Sequence, residues 1–249
     1  MIDKKIREWI RRLRFGAKAS SESYVEFLRK KGMKIGEDVI IYSPLKTLID
    51  LQYPWEISIG NHVRIATGTI ILTHDFSWSV LKRLDGGNGS GAVLGASGYV
   101  NIGNNVFIGM NAIILRNVRV GDNAIIGAGS VVTSDCESGY VYAGNPAKKI
   151  MSVEEYYKKR CSAQKREAKQ LVVDFYQRYN KIPPKEIFNE YFMLFESGEN
   201  LPKQFEKQMN LCNNYEESVA YIKNNKAEFC GYDDFIQYCF DERKDALHR

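Results

Sequence analysis

Three histidines occur in the 249 residues, and imidazole is the side chain that exchanges protons most readily near neutral pH. His74 is the one set up for that task. It follows the run Ile71-Leu72-Thr73 and stands just before a long excursion, residues 76–100, that is rich in glycine and carries Trp78, Lys82 and Arg83. A connection of that length points to an active-site or binding loop rather than a passive link. Its glycines do not spell G-x-G-x-x-G, so dinucleotide binding is rejected. A carboxylate beside the imidazole would orient it and stabilise its cation. Asp75 is adjacent in sequence, but consecutive residues tend to point apart. Asp50 is remote, so its part depends on how the chain is wound.

The winding is set by a period of six. Ile102, Ile108, Ile114, Val120, Ile126 and Val132 recur at every sixth position. The residue four places after each is short: Val106, Ala112, Val118, Ala124, Ser130 and Cys136. Neither a helix nor a simple alternating strand has this period, so it is a repeat. Three hexads make one turn of a three-sided prism, the pattern of a left-handed parallel β-helix. The signature Ile/Val-Gly-x-x-Val/Ala begins at Ile35, Ile59, Ile102 and Val120. The last spacing is one coil of 18 residues, and the earlier spacings of 24 and 43 are longer by 6 and 25. Removing two excursions, at 51–56 and 76–99, puts all four signatures on one face, with both excursions leaving from one corner. Counting from Thr47 and from Ile71 predicts that Asp50 and His74 share that corner in successive coils, with Asn117 and Asp135 continuing the column. Coils lie about 4.8 Å apart, which an aspartate side chain can bridge to an imidazole nitrogen.

The prism accounts for residues 35–150, with the loop insertion at 76–100. Residues 1–34 are expected to form two basic amphipathic helices, at 3–15 and Ser21–Lys31. The first would carry Ile2, Ile6, Trp9, Ile10 and Leu13 on one face. They read as a plug over the open first coil or as a foot on an anionic membrane surface, with residues 1–18 as the contact. This segment holds 11 Lys and Arg against 4 acids, whereas the rest of the chain is balanced, so a nucleic-acid surface over the body is not supported. Ser152 and Glu155 form a capping box opening a helix to about Tyr179. Further helices are expected at 185–196, 202–212, 215–226 and 232–245, making 151–249 a helical extension without a catalytic motif. The fold class is therefore mainly β, with helices at both ends. Five cysteines without C-x-x-C spacing, no apolar span and no secretory centre in residues 1–15 fit a cytoplasmic protein, with the inner membrane face as its expected location if the first helix is a membrane foot.

Three motifs then carry a resemblance over roughly Ile35 to Ile150. They are Ile71-Leu72-Thr73-His74-Asp75 before the loop, Ile102-Gly103-Asn104-Asn105-Val106-Phe107-Ile108-Gly109, and Ile126-Gly127-Ala128-Gly129-Ser130-Val131-Val132-Thr133 followed by Gly144-Asn145-Pro146-Ala147-Lys148. In that order they resemble the hexapeptide-repeat acyltransferases, in particular sugar and polysaccharide O-acetyltransferases of the maltose, galactoside and capsule-modifying kinds. The resemblance implies acetyl-CoA as co-substrate, a homotrimer with shared sites, a sugar or polysaccharide acceptor and no metal. It puts His74 at the catalytic histidine, with Asp50 favoured as its orienter, and the backbone N–H of Met110, after Gly109, as oxyanion donor. It puts Ala128 and Thr133 along CoA and Lys148 near its phosphates, with Lys149 a substitute where Ser134 departs from the lysine of many relatives. Asp75, Trp78 and Phe107 are candidates for the acceptor side. Since no Ser or Cys in the motifs sits beside a base, direct transfer is favoured over an acyl-enzyme.

Two other functions fit the same prism. A zinc hydratase needs three converging histidines, yet His62 and His74 fall on different faces and His248 is next to last. A non-catalytic scaffold would present the helical tail to a partner and would have no affinity for acetyl-CoA.

Overall fold

The computed structural model describes residues 4–84, 91–198 and 201–241. Ile2, His248, Gly86, Gly87, Gly89 and the end of the expected 232–245 helix lie outside the described residues. The chain divides into two compact units, Met1–Tyr156 and Tyr157–Arg249.

The first unit is a left-handed parallel β-helix with three faces. Its first face stacks Lys34–Ile35, Ile57–Ile59, Val100–Ile102 and Val118–Val120. The second stacks Ile40–Ile41, Arg64–Ile65, Phe107–Ile108 and Ile125–Ile126, then closes with the hairpin Tyr140–Ala143 and Lys148–Ser152. The third stacks Leu48–Ile49, Ile70–Ile71, Ile113–Ile114 and Val131–Val132. Ile35, Ile59, Ile102 and Val120 pair in succession on the first face, as the signature spacing requires. Inward aliphatics such as Ile65, Ile71, Ile108, Ile114 and Ile126 are fully buried. Each contributes about 1.5–3 kcal/mol by leaving water.

The polar half of the signature holds the coils together at one edge. Asn61 Oδ1 accepts the Glu37 N–H, Asn104 Oδ1 accepts the Asn61 N–H, and Asp122 Oδ1 accepts the Asn104 N–H, at 2.8, 2.8 and 2.6 Å. The glycine before each of these side chains has no room for a substituent: a Cβ on Gly60 would sit 2.6 Å from the Gly103 carbonyl oxygen. The next residue turns the corner in the left-handed region, at Asp38, His62, Asn105 and Asn123. These are the types that tolerate positive φ. His62 is therefore a corner residue of the coil.

Helix α1 spans Lys4–Phe15 and helix α2 Ser21–Lys30. The two helices are placed differently. The α2 residues Tyr24, Val25 and Leu28 are buried in the β-helix core, and the Ser21 hydroxyl accepts the Ile41 N–H at 2.8 Å. That helix covers the first coil. In α1, Ile6, Trp9, Ile10 and Leu13 remain exposed.

The long excursion leaves and returns through an antiparallel ladder, His74–Asp75 against Ala96–Ser97, and includes a one-turn helix α3, Trp78–Leu81. Helix α4, Val153–Tyr179, starts with the expected box: Ser152 Oγ accepts the Glu155 N–H, and Glu155 Oε2 accepts the Ser152 N–H.

The second unit has its own aromatic core, in which Phe188, Phe205 and Phe235 are fully buried. Helices α5 (Lys203–Met209), α6 (Tyr215–Asn224) and α7 (Tyr232–Phe240) build it. The expected helix at 185–196 is instead two short 3-10 turns, Lys185–Ile187 and Phe192–Leu194. Phe188 leaves helical geometry between them (φ −89°, ψ 43°) and packs edge-on against Phe195 and Phe235. Burial of its ring decides the local backbone there.

Candidate active site

His74 and Asp50 meet: His74 Nδ1 lies 2.5 Å from Asp50 Oδ2. The register behind this contact differs from the sequence expectation. Leu48 and Ile49 pair with Ile70 and Ile71, so Asp50 is level with Leu72 and lies two positions before His74. Thr47 is the small buried position of its hexad, equivalent to Thr69, Ala112 and Ser130, and not the aliphatic one. The true column of His74 is Gln52, His74, Asn117 and Asp135. Asp50 reaches His74 because its side chain points along the edge toward the next two residues of the neighbouring coil.

Asp50 is only 6 % exposed, and every hydrogen bond it makes is accepted from a donor at this corner. Oδ2 accepts from the Thr73 hydroxyl at 2.6 Å and the Thr73 N–H at 3.0 Å as well as from His74; Oδ1 accepts the Gln52 N–H at 2.9 Å. Burial pushes its carboxyl pKa up, but these bonds, the Thr73 hydroxyl first among them, outweigh burial and hold it down at about 2. An ionised carboxylate has no proton to give, so His74 Nδ1 is the donor in this contact, and it is the neutral ring with its lone pair on Nε2 that could accept a proton. Among the described residues no hydrogen-bond partner faces Nε2. The Tyr53 ring, from the shorter excursion, stands edge-on to the imidazole at 6.4 Å between centroids and itself meets Trp55.

A cleft of about 620 Å³ opens at this corner, lined by Leu72, His74, Asp75, Phe76, Arg116 and Thr133 among others. Clefts of about 520 and 350 Å³ in the second unit contain no histidine. Asp75, the rival carboxylate, makes its contacts elsewhere than at the His74 ring: Oδ1 accepts the Ser77 N–H at 2.6 Å, and Oδ2 faces Arg116 Nη2 at 3.9 Å. The Ser77 N–H, with a smaller contribution from Arg116, keeps the Asp75 carboxyl below its usual pKa. Trp78 is outside the buried core; its ring meets Phe76 at 4.8 Å and lies under the Lys82 ammonium.

The remaining candidates fall elsewhere. Gly109 and Met110 turn the corner between second and third faces, next to Ala128: a Cβ on Gly109 would come 2.5 Å from the Ala128 nitrogen. The Met110 carbonyl accepts the Gly129 N–H at 2.8 Å, while among the described residues no acceptor faces the Met110 N–H. Phe107 is exposed on the second face, and Lys148 is exposed in the closing hairpin. Lys149 is committed to Glu137 at 2.6 Å and to the Tyr140 ring. Thus Thr133 shares the His74 cleft, whereas the Met110 corner is one face away. Burial pushes the Cys136 thiol up to about 12, unsuited to a nucleophile. Among the described residues no three His, Cys, Asp or Glu side chains are grouped to hold a metal.

Sequence reasoning missed Thr73, Gln52, Tyr53 and Arg116. The shared corner of the two excursions was the signal that could have brought Tyr53 and Gln52 to His74.

Comparison with known proteins bears on this geometry. Residues 99–134 match the family described as bacterial transferase hexapeptide (six repeats). Protein CapG of Staphylococcus aureus is 41% identical over 130 residues, 52% of this chain and 71% of CapG. YvoF of Bacillus subtilis (strain 168), which carries the provisional name of an acetyltransferase, is 33% identical over 132 residues, 53% of this chain and 66% of YvoF. A solved galactoside acetyltransferase in complex with coenzyme A is 23% identical over 62% of this chain and 80% of that one, with a TM-score of 0.44, too loose a likeness to carry weight. The hexads, their family match and a relative covered over most of its length agree, so the chain belongs to the hexapeptide-repeat family of bacterial transferases.

Proposed function

We propose that the protein transfers the acetyl group of acetyl-CoA to a hydroxyl of a sugar, within a surface polysaccharide or its precursor, with His74 as general base and Asp50 as its orienter. The observation that carries this reading is the 2.5 Å contact between His74 Nδ1 and Asp50 Oδ2 at the wall of an open cleft. The acceptor oxygen attacks the thioester carbonyl carbon while its proton passes to His74 Nε2. Collapse of the tetrahedral intermediate breaks the C–S bond, and the thiolate leaves with the proton returned from the imidazolium. The Met110 N–H is the donor offered to the oxyanion. Gly109, Ala128 and Thr133 line the path of CoA, and Lys148 meets its phosphates. Lys149, held by Glu137, is less available for that role. Asp75, Trp78 and Phe107 are assigned to the acceptor side, where the exposed rings of Trp55 and Phe76 add apolar faces for a sugar.

Because the His74 and Met110 corners are one face apart, a complete site needs the Met110 corner of a second copy. The homotrimer that the family resemblance implies would supply that copy, and sedimentation equilibrium reads it. The test of the chemistry is CoA release across a panel of sugars. His74→Ala is expected to lower turnover by about 10²- to 10⁴-fold while acetyl-CoA still binds. Retained turnover refutes the assignment.

The exposed apolar residues of α1 and its described cations Arg11, Arg12 and Arg14 support peripheral contact with an anionic membrane, at the cytoplasmic face. No described helix is long and apolar enough to cross a membrane. Liposome sedimentation is expected to show salt-sensitive binding that is lost without residues 1–18. Equal sedimentation of both proteins removes this contact.

A further inference from the structure

Arg116 borders the same cleft as His74 and is not used by the chemistry above. Leu115 stands level with Leu72 in the neighbouring coil, so Arg116 is level with Thr73, one position from the catalytic imidazole. Its side chain is about one-third exposed, at 36 %. A guanidinium has five N–H donors, and at this exposure water reaches some of them while the cleft wall screens the rest. Here the sole charged partner among the described residues is Asp75, at 3.9 Å, beyond hydrogen-bonding distance. The two Asp75 oxygens are divided: one is taken by the Ser77 N–H and the other faces Arg116. Asp75 thus steers the guanidinium electrostatically without consuming its donors.

A planar fork of free donors, partly withdrawn from water, favours an oxyanion that can accept two parallel bonds. A neutral hydroxyl satisfies the fork poorly. We propose that Arg116 is the specificity-determining residue for the acceptor, its guanidinium taking the carboxylate or phosphate of an acidic sugar while a hydroxyl of that sugar faces His74. The acceptor class is then an anionic carbohydrate: a sugar acid if the group is a carboxylate, or a sugar phosphate or phosphate-linked precursor if it is a phosphate. This inference rests on the transferase reading above and narrows it.

The experiment compares CoA release with three acceptors of one ring type: the neutral hexose, its uronic acid and its phosphate. The wild-type protein is expected to favour at least one acidic arm by about tenfold or more in kcat/KM. Arg116→Met is expected to raise the KM for that acceptor by about 10- to 100-fold, with the KM for acetyl-CoA unchanged. Arg116→Lys keeps the charge but not the fork. It is expected to recover much of the phosphate arm and little of the carboxylate arm, which tells the two sources apart. Equal wild-type use of neutral and acidic acceptors overturns the proposal, and this arm needs no variant to fold. An Arg116→Met effect confined to the acetyl-CoA KM also overturns it, by assigning the guanidinium to CoA. Absence of CoA release from every arm sinks the sugar-transferase reading itself, and the inference with it. Release without acidic preference sinks the inference alone.

Discussion

Among the described residues the β-helix contains two histidine–aspartate pairs, alike in their Nδ1 contact and different in register and setting: Asp38 is level with His62, whereas Asp50 lies two positions before His74. His62 Nδ1 lies 2.8 Å from Asp38 Oδ2, and His74 Nδ1 lies 2.5 Å from Asp50 Oδ2. In both pairs the partners are 24 residues apart and belong to successive coils. Asp38 also binds Arg64, whose Nη2 is 2.7 Å from the same carboxylate oxygen. The carboxylate is therefore shared with a permanent cation, and the His62 side chain is 56 % exposed at a corner with no cleft among those described. Among the described residues Asp50 shares its carboxylate with no permanent cation, its donors other than His74 are the Thr73 hydroxyl and backbone N–H groups, and the imidazole opens on a cleft beside two excursions. A carboxylate next to an imidazole is thus not a site by itself. On the proposed reading, the site arises where the carboxylate is undivided and the free ring nitrogen has room for a reactant.

The sharpest way to break this comparison is to remove each imidazole. His74→Ala should lower kcat by the 10²- to 10⁴-fold given above, whereas His62→Ala should change it less than about twofold. Similar losses from both would mean that the pairs are not distinct. Next in size is the exchange of the acids. Asp50→Asn is expected to lower kcat by about 10²-fold or more, because an amide no longer fixes the Nδ1–H tautomer or stabilises the imidazolium. Asp38→Ala should leave kcat nearly intact and cost about 1–3 kcal/mol of stability through the lost bonds to Arg64 and His62. Chemical denaturation and steady-state kinetics on the same preparations separate the two outcomes.

The smallest expected effect is in the pH dependence of stability. The Asp50 carboxyl has a folded-state pKa of about 2, below the value of about 3.9 in an unfolded chain. Its charge therefore contributes stability, on the order of 2 kcal/mol, that is fully present above about pH 4 and is lost as pH falls through about 2. The stability gap between wild type and Asp50→Asn should be constant from pH 6 to about pH 4 and narrow toward pH 2. A gap that stays flat to pH 2 would show that the Asp50 hydrogen bonds do not depend on its charge.

Much of the coil was legible because each position of the hexad has one physical demand. Ile71 and Ile114 must fill the axis, Ala112 and Ser130 must be small, and Gly60 must have no Cβ. Only a triangular coil satisfies all three at a spacing of six. Asp50 was found for a partly mistaken reason. The sequence signal at Thr47 does not distinguish a small position from an aliphatic one where an excursion interrupts the count. Arg116 carried no signal, since a single arginine on an exposed coil edge is ordinarily a solvated charge. The helical unit was the least legible, because aromatic packing around Phe188 overrode local helix preference.

The sequence alone therefore determined the coil, its faces and the corner from which both excursions leave, since periodic size and polarity act locally and repeat. The tertiary structure alone decided that Asp50 serves His74 from two positions behind, that Thr73 and Gln52 hold its charge, and that Arg116 keeps its donors. Those depend on where side chains from different coils end, and interatomic reach is set by register and not by residue type.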